Sequence, residues 1–258
     1  MDRGPQLLVL GGANGSGKTT VARKYAETAG FAYLGADDIA QALSRDDPAS
    51  QRVAAGREFV RLLQDKLQAR ESVIVETTLS GLTFRRHVCT ARRQGYEITI
   101  AQMHLGSDDL CVARVAQRVR QGGHHVPEAD IRRRFQRTAV NFWQTYRQLA
   151  DHWILLSNAT TELVDFAIGS GEQTTIRDPV LFSNYLEVVG AGTVPSGGSP
   201  LSIESYARLD ELLRIAAVAV AEAQATGRRN GVPNVYRICE RIYFETPSGG
   251  LSTTDPLN

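Results

Sequence analysis

The sequence contains few cysteines, almost no net charge and no long hydrophobic run. The three cysteines among 258 residues (Cys89, Cys111 and Cys239) are widely separated and fit neither a metal-binding spacing nor a disulfide framework. Lysine and arginine total 29 against 28 acidic residues, which gives no reason to expect general binding to nucleic acid or anionic membranes. No apolar stretch approaches the roughly 18 residues of a membrane span, and the N-terminal apolar run is too short for a signal peptide. We therefore expect a cytoplasmic protein with no nucleic-acid or membrane partner.

A glycine-rich segment near the N-terminus gives the strongest signal. The residues from Gly12 to Thr19 fit G-x-x-x-x-G-K-[ST], the P-loop pattern, between an apolar strand at 7–10 and a helix at 19–28. Glycines let the loop N–H groups point at phosphate oxygens, and the helix N-terminus reinforces this anion site. Lys18 would reach the outer phosphates, and the Thr19 hydroxyl would bind Mg²⁺. The predicted nucleoside triphosphate site comprises Gly12, Ala13, Asn14, Gly15, Ser16, Gly17, Lys18, Thr19 and Thr20.

Apolar runs alternate with helical patterns along the first two thirds of the chain, which predicts a mainly parallel sheet covered by helices on both faces. Further strands are predicted at 31–34, 72–75, 97–105 and, as the last strand of the sheet, 153–156. Helices are predicted at 51–70, from an N-cap at Ser107 to Gln121, and after Pro127.

The chain changes character after position 189. Residues 190–200 are rich in Gly, Ser and Pro and predict a linker or surface loop. An amphipathic helix around 209–220 and a strand at 236–244, turning at 248–250, follow it. We therefore divide the chain into a main domain at 1–189, a linker at 190–200 and a C-terminal appendage at 201–258 that packs on the core.

Acidic residues follow two of the predicted strands, where an α/β sheet binds its ligands. Asp37 lies after the second strand and can act as a general base toward a substrate hydroxyl, although Asp37 or Asp38 can equally cap the next helix. Glu76 ends the third strand like a Walker B carboxylate, and with Thr77 and Thr78 it can also hydrogen-bond a polar substrate. A merely solvated Glu76 is the alternative.

Seven arginines flank a Gly-Gly hinge and indicate a lid that closes over phosphates. They are Arg114, Arg118, Arg120, Arg132, Arg133, Arg134 and Arg137. His124, in the hinge, is predicted to contact phosphate or to serve the hinge rather than to bind zinc. One alternative is that the arginines form an ordinary solvated helix face, which we expect for most of them. Another is a nucleic-acid-binding groove, which is disfavoured because the charge is balanced and no aromatic residues alternate with the arginines.

Taken together, these segments resemble the zeta toxin family of P-loop kinases, over roughly residues 6–179. The resemblance is carried by GGANGSGKTT, by GADDIAQAL with DDP and AAGRE behind it, by VIVETTLSG, and above all by RVAQRVRQGGHHVPEADIRRRFQRTAVNF followed by YRQLADHWILLSN. It implies a three-layer α/β P-loop kinase fold with a helical arginine-bearing lid at about 114–137 and a small C-terminal helix-plus-strand appendage.

The resemblance also implies a function. Such kinases transfer the γ-phosphate of ATP or GTP, with Mg²⁺, to a nucleotide sugar, of which UDP-N-acetylglucosamine is the best known, and an antitoxin protein can block the ATP site. Position by position, Asp37 would be the general base, Lys18 and Thr19 the P-loop pair, and Glu76 a substrate contact. Arg118 and Arg134 would be the catalytic lid arginines, with Arg133 close behind. A kinase for another nucleotide or small hydroxyl compound, and an ATP-dependent binding switch without transfer, remain the alternatives.

Overall fold

The computed structural model describes residues 4–44, 50–171, 173–192 and 201–257. The DDP segment at 46–48 and most of the predicted linker at 190–200 lie outside these residues. The described strands are β1 (Gln6–Gly12), β2 (Ala32–Gly35), β3 (Val73–Thr77), β4 (Glu97–Met103), β5 (His152–Ser157), β6 (Val164–Ser170), β7 (Gln173–Ile176), β8 (Val235–Ile238), β9 (Arg241–Glu245) and β10 (Leu251–Ser252). The described α-helices are α1 (Lys18–Ala29), α2 (Ala36–Leu43), α3 (Arg52–Gln68), α4 (Arg85–Arg93), α5 (Asp108–Arg120), α6 (Glu128–Asn141), α7 (Pro179–Val189) and α8 (Ile203–Arg229).

Among these elements, seven strands form one sheet in the order β2-β3-β1-β4-β5-β6-β7. Strands β1 to β5 run parallel, and β6 and β7 continue the sheet in antiparallel fashion. The parallel part brings the carboxyl ends of β1, β2 and β3 to one edge, which is the ligand-binding edge of such sheets. The predicted α/β fold with a mainly parallel sheet is confirmed.

The sheet is covered on both faces because its strand residues alternate in direction. In β1, Leu7 and Val9 pack toward α3, α4, α6 and α7, whereas Leu8 and Leu10 pack toward α1 and α8. All four side chains are buried. Helix, sheet and helix therefore make the predicted three layers.

Among the described α-helices, α5, α7 and α8 begin with a side-chain N-cap. At the start of α5, Ser107 Oγ accepts a hydrogen bond from the Asp109 N–H at 3.2 Å, as its predicted N-cap role requires. Helix α6 does not end cleanly at Asn141 but continues as a π-helical turn (Phe142–Tyr146) and a short 3-10 turn (Arg147–Leu149). Tyr146, the last residue of the π-helical turn, is fully buried.

Two predictions about strands are wrong. The strand at 152–157 is not the last of the sheet, because β6 and β7 extend it. The predicted single strand at 236–244 is two strands, β8 and β9, joined by a tight turn at Cys239 and Glu240. The turn predicted at 248–250 does form, since β10 pairs with β9 across it.

The C-terminal helix α8 packs on α1 and on the sheet at β5 and β6. Its buried apolar side includes Leu209, Leu212 and Ile215. Near its start, the buried Arg208 forms an ion pair with Glu97 of β4. In the part of the chain that the structure describes, no helix combines the length and apolar character needed to cross a membrane.

Candidate active site

The P-loop connects β1 to α1 through backbone conformations that require glycine. Gly15 and Gly17 have φ angles of 82° and 91°, a region that other residues rarely adopt. A Cβ atom at Gly15 would lie 2.5 Å from the Cys111 carbonyl oxygen, and one at Gly17 would lie 2.8 Å from Asn158 Nδ2. The glycines thus allow the loop to pack against α5 and against the residue after β5.

Lys18 is buried at the first position of α1. Its Nζ donates a hydrogen bond to the carbonyl oxygen of Ala13 at 2.8 Å, so the ammonium group lies inside the curve of the loop. Burial lowers the pKa of Lys18, while the carboxylates of Glu76 and Asp37 act in the opposite direction. A buried cation at a helix N-terminus is a strong site for an anion such as phosphate.

The neighbouring Thr19 is joined to the end of β3. Its Oγ1 donates a hydrogen bond to Glu76 Oε1 at 2.9 Å, and the Tyr33 hydroxyl donates to Glu76 Oε2 at 2.8 Å. This contact arises because β3 pairs with β1, with Glu76 opposite Leu10. The expectation that this strand ends beside the P-loop is confirmed, and Glu76 is not merely solvated.

Thr19 and Glu76 fit Mg²⁺ because both present oxygen atoms, the donors that this hard cation prefers. Among the described residues, no group of three or more His, Cys, Asp or Glu side chains could hold a metal ion. A site with few protein ligands is typical of Mg²⁺ in nucleotide enzymes, where substrate phosphates and water supply the other ligands.

The two adjacent aspartates after β2 have different environments. Asp38 accepts hydrogen bonds from Arg23 Nη2 at 2.8 Å on both carboxylate oxygens. Asp37 lines the cavity beside the P-loop and is exposed there. Gly35 is the N-cap residue of α2 and has no side-chain cap, so neither aspartate acts as the cap residue. Both aspartates lie in the first turn of α2.

A cavity of about 550 Å³ brings most of the predicted residues together. Those that line it are Asn14, Gly15, Gly17, Lys18, Thr19, Thr20, Asp37, Glu76, Thr77, Thr78, Arg114, Arg118 and Arg134. Gly12, Ala13 and Ser16 belong to the loop but do not line the cavity. The buried Ser16 hydroxyl has no hydrogen-bond partner among the described residues.

Helix α6 and the π-helical turn after it hold the loop that follows β3. Three side chains donate hydrogen bonds to its carbonyl oxygens: Thr138 to Thr78 at 2.5 Å, Asn141 to Leu79 at 2.9 Å and Tyr146 to Gly81 at 2.6 Å. Leu79 has a φ of 52°, so the loop adopts a conformation that an isolated chain would rarely keep. Helix α6 and the turn after it thereby hold Thr78 at the cavity.

Arg114 is held in the wall of the cavity by hydrogen bonds and does not extend from a lid. Its Nε donates to the Val235 carbonyl oxygen at 3.0 Å, and its Nη atoms donate to Asn158 Oδ1 at 3.0 Å and to the Asn158 carbonyl oxygen at 2.7 Å. Burial lowers the pKa of Arg114 to about 10. These bonds tie α5 to β5 and β8.

The other lid candidates divide into two groups. Arg118 and Arg134 line the cavity, where Arg134 Nη1 donates to Asn14 Oδ1 at 3.0 Å and Arg118 Nη2 donates to the His124 carbonyl oxygen at 2.9 Å. Arg133 is about half exposed, pairs with Asp130 at 2.7 Å and does not line the cavity. The exposed His124 side chain does not line it either, so the structure does not bring these two residues to the site.

Several site residues escape sequence reasoning. The cavity is also lined by Phe59, Ser80, Thr83, Phe84 and His87. Burial lowers the pKa of His87. The helical spacing of Phe84, His87 and Val88 was the available signal, but it indicates a packed face as readily as a site.

Two curated relatives each match a little under half of the chain. An uncharacterized protein from Haemophilus influenzae is 27% identical over 124 residues, covering 48% of this chain and 88% of its own length. An adenylate kinase from Chlamydia muridarum is 29% identical over 119 residues, covering 43% of this chain. The match spans about half (47%) of that adenylate kinase.

Solved structures share the fold over most of the chain. The AvrRxo1-ORF1:ORF2 complex with ATP matches with a TM-score of 0.58 and 16% identity, covering 86% of this chain and 77% of that one. The chromosomal toxin–antitoxin system PezAT of Streptococcus pneumoniae matches with a TM-score of 0.55 and 16% identity, covering 86% and 88%. At this level of identity the similarity shows the fold.

The family model for an AAA domain (AAA_33) matches residues 7–139, just over half of the chain. This segment contains the P-loop, Asp37, Glu76 and the cavity-lining arginines of α5 and α6. The chain is therefore a member of this AAA domain family, with a P-loop α/β fold.

Proposed function

We propose that this protein is a kinase that transfers the γ-phosphate of ATP or GTP to a hydroxyl group of a nucleotide sugar, with UDP-N-acetylglucosamine as the best-matched acceptor. The observation that carries the proposal is that Lys18 and Asp37 line one cavity. Direct phosphoryl transfer to a hydroxyl requires a phosphate-binding cation and a carboxylate near the acceptor, and Lys18 of α1 and Asp37 of α2 offer both in one cavity.

In the proposed reaction, the γ-phosphate bond to the leaving diphosphate breaks while a bond to the acceptor oxygen forms. Asp37 accepts the proton of that hydroxyl as the oxygen attacks. Lys18, Arg118 and Arg134 stabilise the charge on the transferred group. Thr19 and Glu76 would hold Mg²⁺, which would supply neutralisation of the phosphate charge.

The hydroxyl-bearing and aromatic residues that line the cavity support a sugar as acceptor. Hydroxyl groups of Thr77, Thr78 and Ser80 can hydrogen-bond sugar hydroxyls, and Phe59 and Phe84 offer apolar surface to the ring. The motif resemblance to zeta toxins narrows this class to nucleotide sugars. ATP and nucleotide sugars are cytoplasmic metabolites, so the proposal places the protein in the cytoplasm.

A protein partner is part of the proposal. The PezAT structure with the same fold is described as a toxin–antitoxin system. We infer that an antitoxin-like protein can restrain this kinase by covering the cavity at the P-loop, which is open at the surface. Added ATP should weaken such a complex, since the two would compete.

Mass spectrometry tests the activity directly. Purified protein is incubated with Mg²⁺, ATP or GTP and a panel of UDP-sugars, dinucleotides and small hydroxyl compounds. We expect one added phosphate on UDP-N-acetylglucosamine. The variant Asp37→Asn should lose transfer by about 10²- to 10⁴-fold, the usual contribution of a general base.

Asp38→Asn is the matched control because it makes the same chemical change at a neighbour that does not line the cavity. Its turnover should stay within a few fold of the natural protein. Equal losses in both variants would remove Asp37 as the base. Phosphate on another compound would keep the kinase and replace the acceptor, and hydrolysis of ATP without transfer to any acceptor would favour a nucleotide-dependent switch.

A further inference from the structure

Tyr33 contacts the site from outside the cavity. Its hydroxyl donates a hydrogen bond to Glu76 Oε2 at 2.8 Å, yet Tyr33 does not line the cavity, whereas Glu76 does. The other carboxylate oxygen, Glu76 Oε1, accepts a hydrogen bond from Thr19 Oγ1 at 2.9 Å. Tyr33, Glu76 and Thr19 thus form a chain of hydrogen bonds that runs from β2 through β3 to the first turn of α1.

Gly35 leaves the space through which the tyrosine reaches Glu76. Tyr33 and Gly35 lie two residues apart in β2 and so share one side of the sheet, and Gly35 is paired in register with Glu76 of β3. A Cβ atom at Gly35 would lie 2.3 Å from Tyr33 Oη and 2.9 Å from its Cζ, closer than real Cβ atoms come. The backbone of Gly35 is extended, with φ −128° and ψ 128°, so the backbone conformation itself does not require glycine. The missing side chain is needed because the phenol passes over this position.

Two further contacts restrict the ring of Tyr33. The ring packs against the apolar core on the side of the sheet that α1 and α8 cover. The guanidinium carbon of Arg23 in α1 lies 5.9 Å from the ring centroid, near the outer limit of a cation–π contact. Arg23 is itself held, because its Nη2 bonds both carboxylate oxygens of Asp38 at 2.8 Å. A ring restricted in this way keeps its hydroxyl directed at Glu76.

The two hydrogen bonds to Glu76 fix the orientation of its carboxylate. The last torsion of a glutamate side chain is broad, so a carboxylate held on one oxygen only can rotate. The bond from Thr19 uses the hydrogen of the Thr19 hydroxyl and leaves the oxygen lone pairs for a cation. Removing a group that hydrogen-bonds a metal-binding residue from outside typically lowers metal affinity about 10- to 100-fold.

We propose that Tyr33, admitted by Gly35, is a positioning residue that orients Glu76 toward Thr19 and so raises the affinity of the P-loop site for Mg²⁺. Tyr33 acts through Glu76, since it does not itself line the cavity. This role rests on the proposed binding of ATP and Mg²⁺ at Thr19 and Glu76, but not on transfer to any acceptor.

The variant Tyr33→Phe removes the hydroxyl and keeps the ring. Calorimetry measures the dissociation constant of ATP with excess Mg²⁺ and, separately, with EDTA. In Tyr33→Phe the affinity for ATP with Mg²⁺ should fall about tenfold, whereas the affinity without Mg²⁺ should stay within about twofold of the natural protein. Tyr206→Phe is the matched control, because its ring also lies near an arginine, with Arg177 Cζ 5.8 Å from the centroid, but does not line the cavity. Both affinities should be unchanged in this control.

The variant Gly35→Ala tests the same contact from the other partner. The added methyl group should displace the phenol and lower the affinity for ATP with Mg²⁺ as Tyr33→Phe does. The double variant Tyr33→Phe/Gly35→Ala should lose little more than either single variant, because both remove the same hydrogen bond. Gly56→Ala in α3 is the control, since a Cβ atom there would meet nothing within 4 Å, and it should leave binding unchanged. Losses that multiply in the double variant would show that the two residues act separately and would overturn the proposal.

An equal loss of ATP affinity with and without Mg²⁺ in Tyr33→Phe, or no loss in either condition, would also overturn it. This failure differs from that of the proposed function. If the Mg²⁺-dependent affinity needs Tyr33 but no acceptor is phosphorylated, the kinase proposal fails and the role of Tyr33 stands. If an acceptor is phosphorylated and Tyr33→Phe binds ATP as the natural protein does, only the role of Tyr33 fails.

Discussion

Thr138→Val removes one hydroxyl group that holds the loop after β3, with almost no change in side-chain volume. Thr138 is 1% exposed, and its Oγ1 donates to the Thr78 carbonyl oxygen at 2.5 Å. Valine keeps the packing of α6 but leaves that carbonyl without this bond. We expect the protein to stay folded and the loop from Thr78 to Gly81 to open more often.

The size of the effect follows from the bond and its burial. A hydrogen bond contributes about 0.5–1.5 kcal/mol net, and leaving a buried partner unsatisfied costs about 1–3 kcal/mol. We therefore expect the free energy of unfolding to fall by about 1–3 kcal/mol. For a domain of this size, each kcal/mol lowers the melting temperature by about 2–4 °C.

Hydrogen–deuterium exchange separates the local from the global effect. The Leu79 and Ser80 amides bond to Thr77 Oγ1 and Thr78 Oγ1 at 3.3 and 3.4 Å, so their exchange reports on the loop. A local loss of about 1.4 kcal/mol would speed that exchange about tenfold. The acceptor KM should rise, while the dissociation constant of ATP stays the same.

Thr90→Val on α4 is the control, since its hydroxyl only accepts an exposed bond from Arg93. It should change neither the exchange nor the melting temperature by more than the loss of a surface contact. If Thr138→Val lowers the melting temperature but leaves exchange in the loop unchanged, Thr138 stabilises the fold without positioning the loop, and the reasoning is refuted.

Three further substitutions test separate features of the molecule. Lys18→Met should raise the melting temperature of the nucleotide-free protein, because the substitution removes a buried cation. It should also abolish ATP binding measured by calorimetry, and retained binding would contradict the role of Lys18. Leu212→Ala should lower the free energy of unfolding by about 2–5 kcal/mol in denaturant titrations, because the Leu212 side chain is 1% exposed. A loss below about 1 kcal/mol would mean that α8 is loosely packed. Burial lowers the pKa of His104 to about 3, so the unfolded chain binds more protons at this residue between pH 6.5 and 3, and stability falls as the pH falls through that range. About 2 kcal/mol should be lost from pH 6.5 to 5 in the natural protein and spared in His104→Leu; equal losses in both would exclude His104 as the cause.

The P-loop part of the site can be predicted from the sequence because its geometry restricts which residues can occupy a few positions. Gly15 and Gly17 are fixed by positive φ and close neighbours, and Lys18 by its place at the start of α1. Glu76 could be placed beside them because an apolar run of this length is a buried parallel strand, and such a strand ends at the ligand edge of the sheet. Backbone constraint and strand direction are both visible in one sequence.

The β8–β9 hairpin was missed because its turn carries no turn signal. Cys239 and Glu240 have φ angles of 46° and 66°, a geometry usually occupied by Asn-Gly or Gly-Gly. Pairing along the two strands imposes this conformation on residues that do not favour it. No local pattern at positions 239 and 240 could have indicated it.

The roles of individual arginines were not predictable for a related reason. Arg114 and Arg118 lie on one face of α5, yet Arg114 is held by Asn158 and Val235 while Arg118 lines the cavity and bonds to the hinge. Which one is anchored depends on residues far away in sequence. Spacing on a helix shows which side chains share a face, but it does not show which residues they contact.

The described C-terminal elements contribute both to the core and to a groove beside the P-loop, which Gly15, Gly17 and Thr20 also line. The apolar side of α8 covers one face of the sheet, and the ion pair of Arg208 with Glu97 ties its first turns to β4. The last turns of the same helix line the groove at the P-loop. A rigid helix links these two contacts, so the packing that stabilises the sheet also sets the width of the groove.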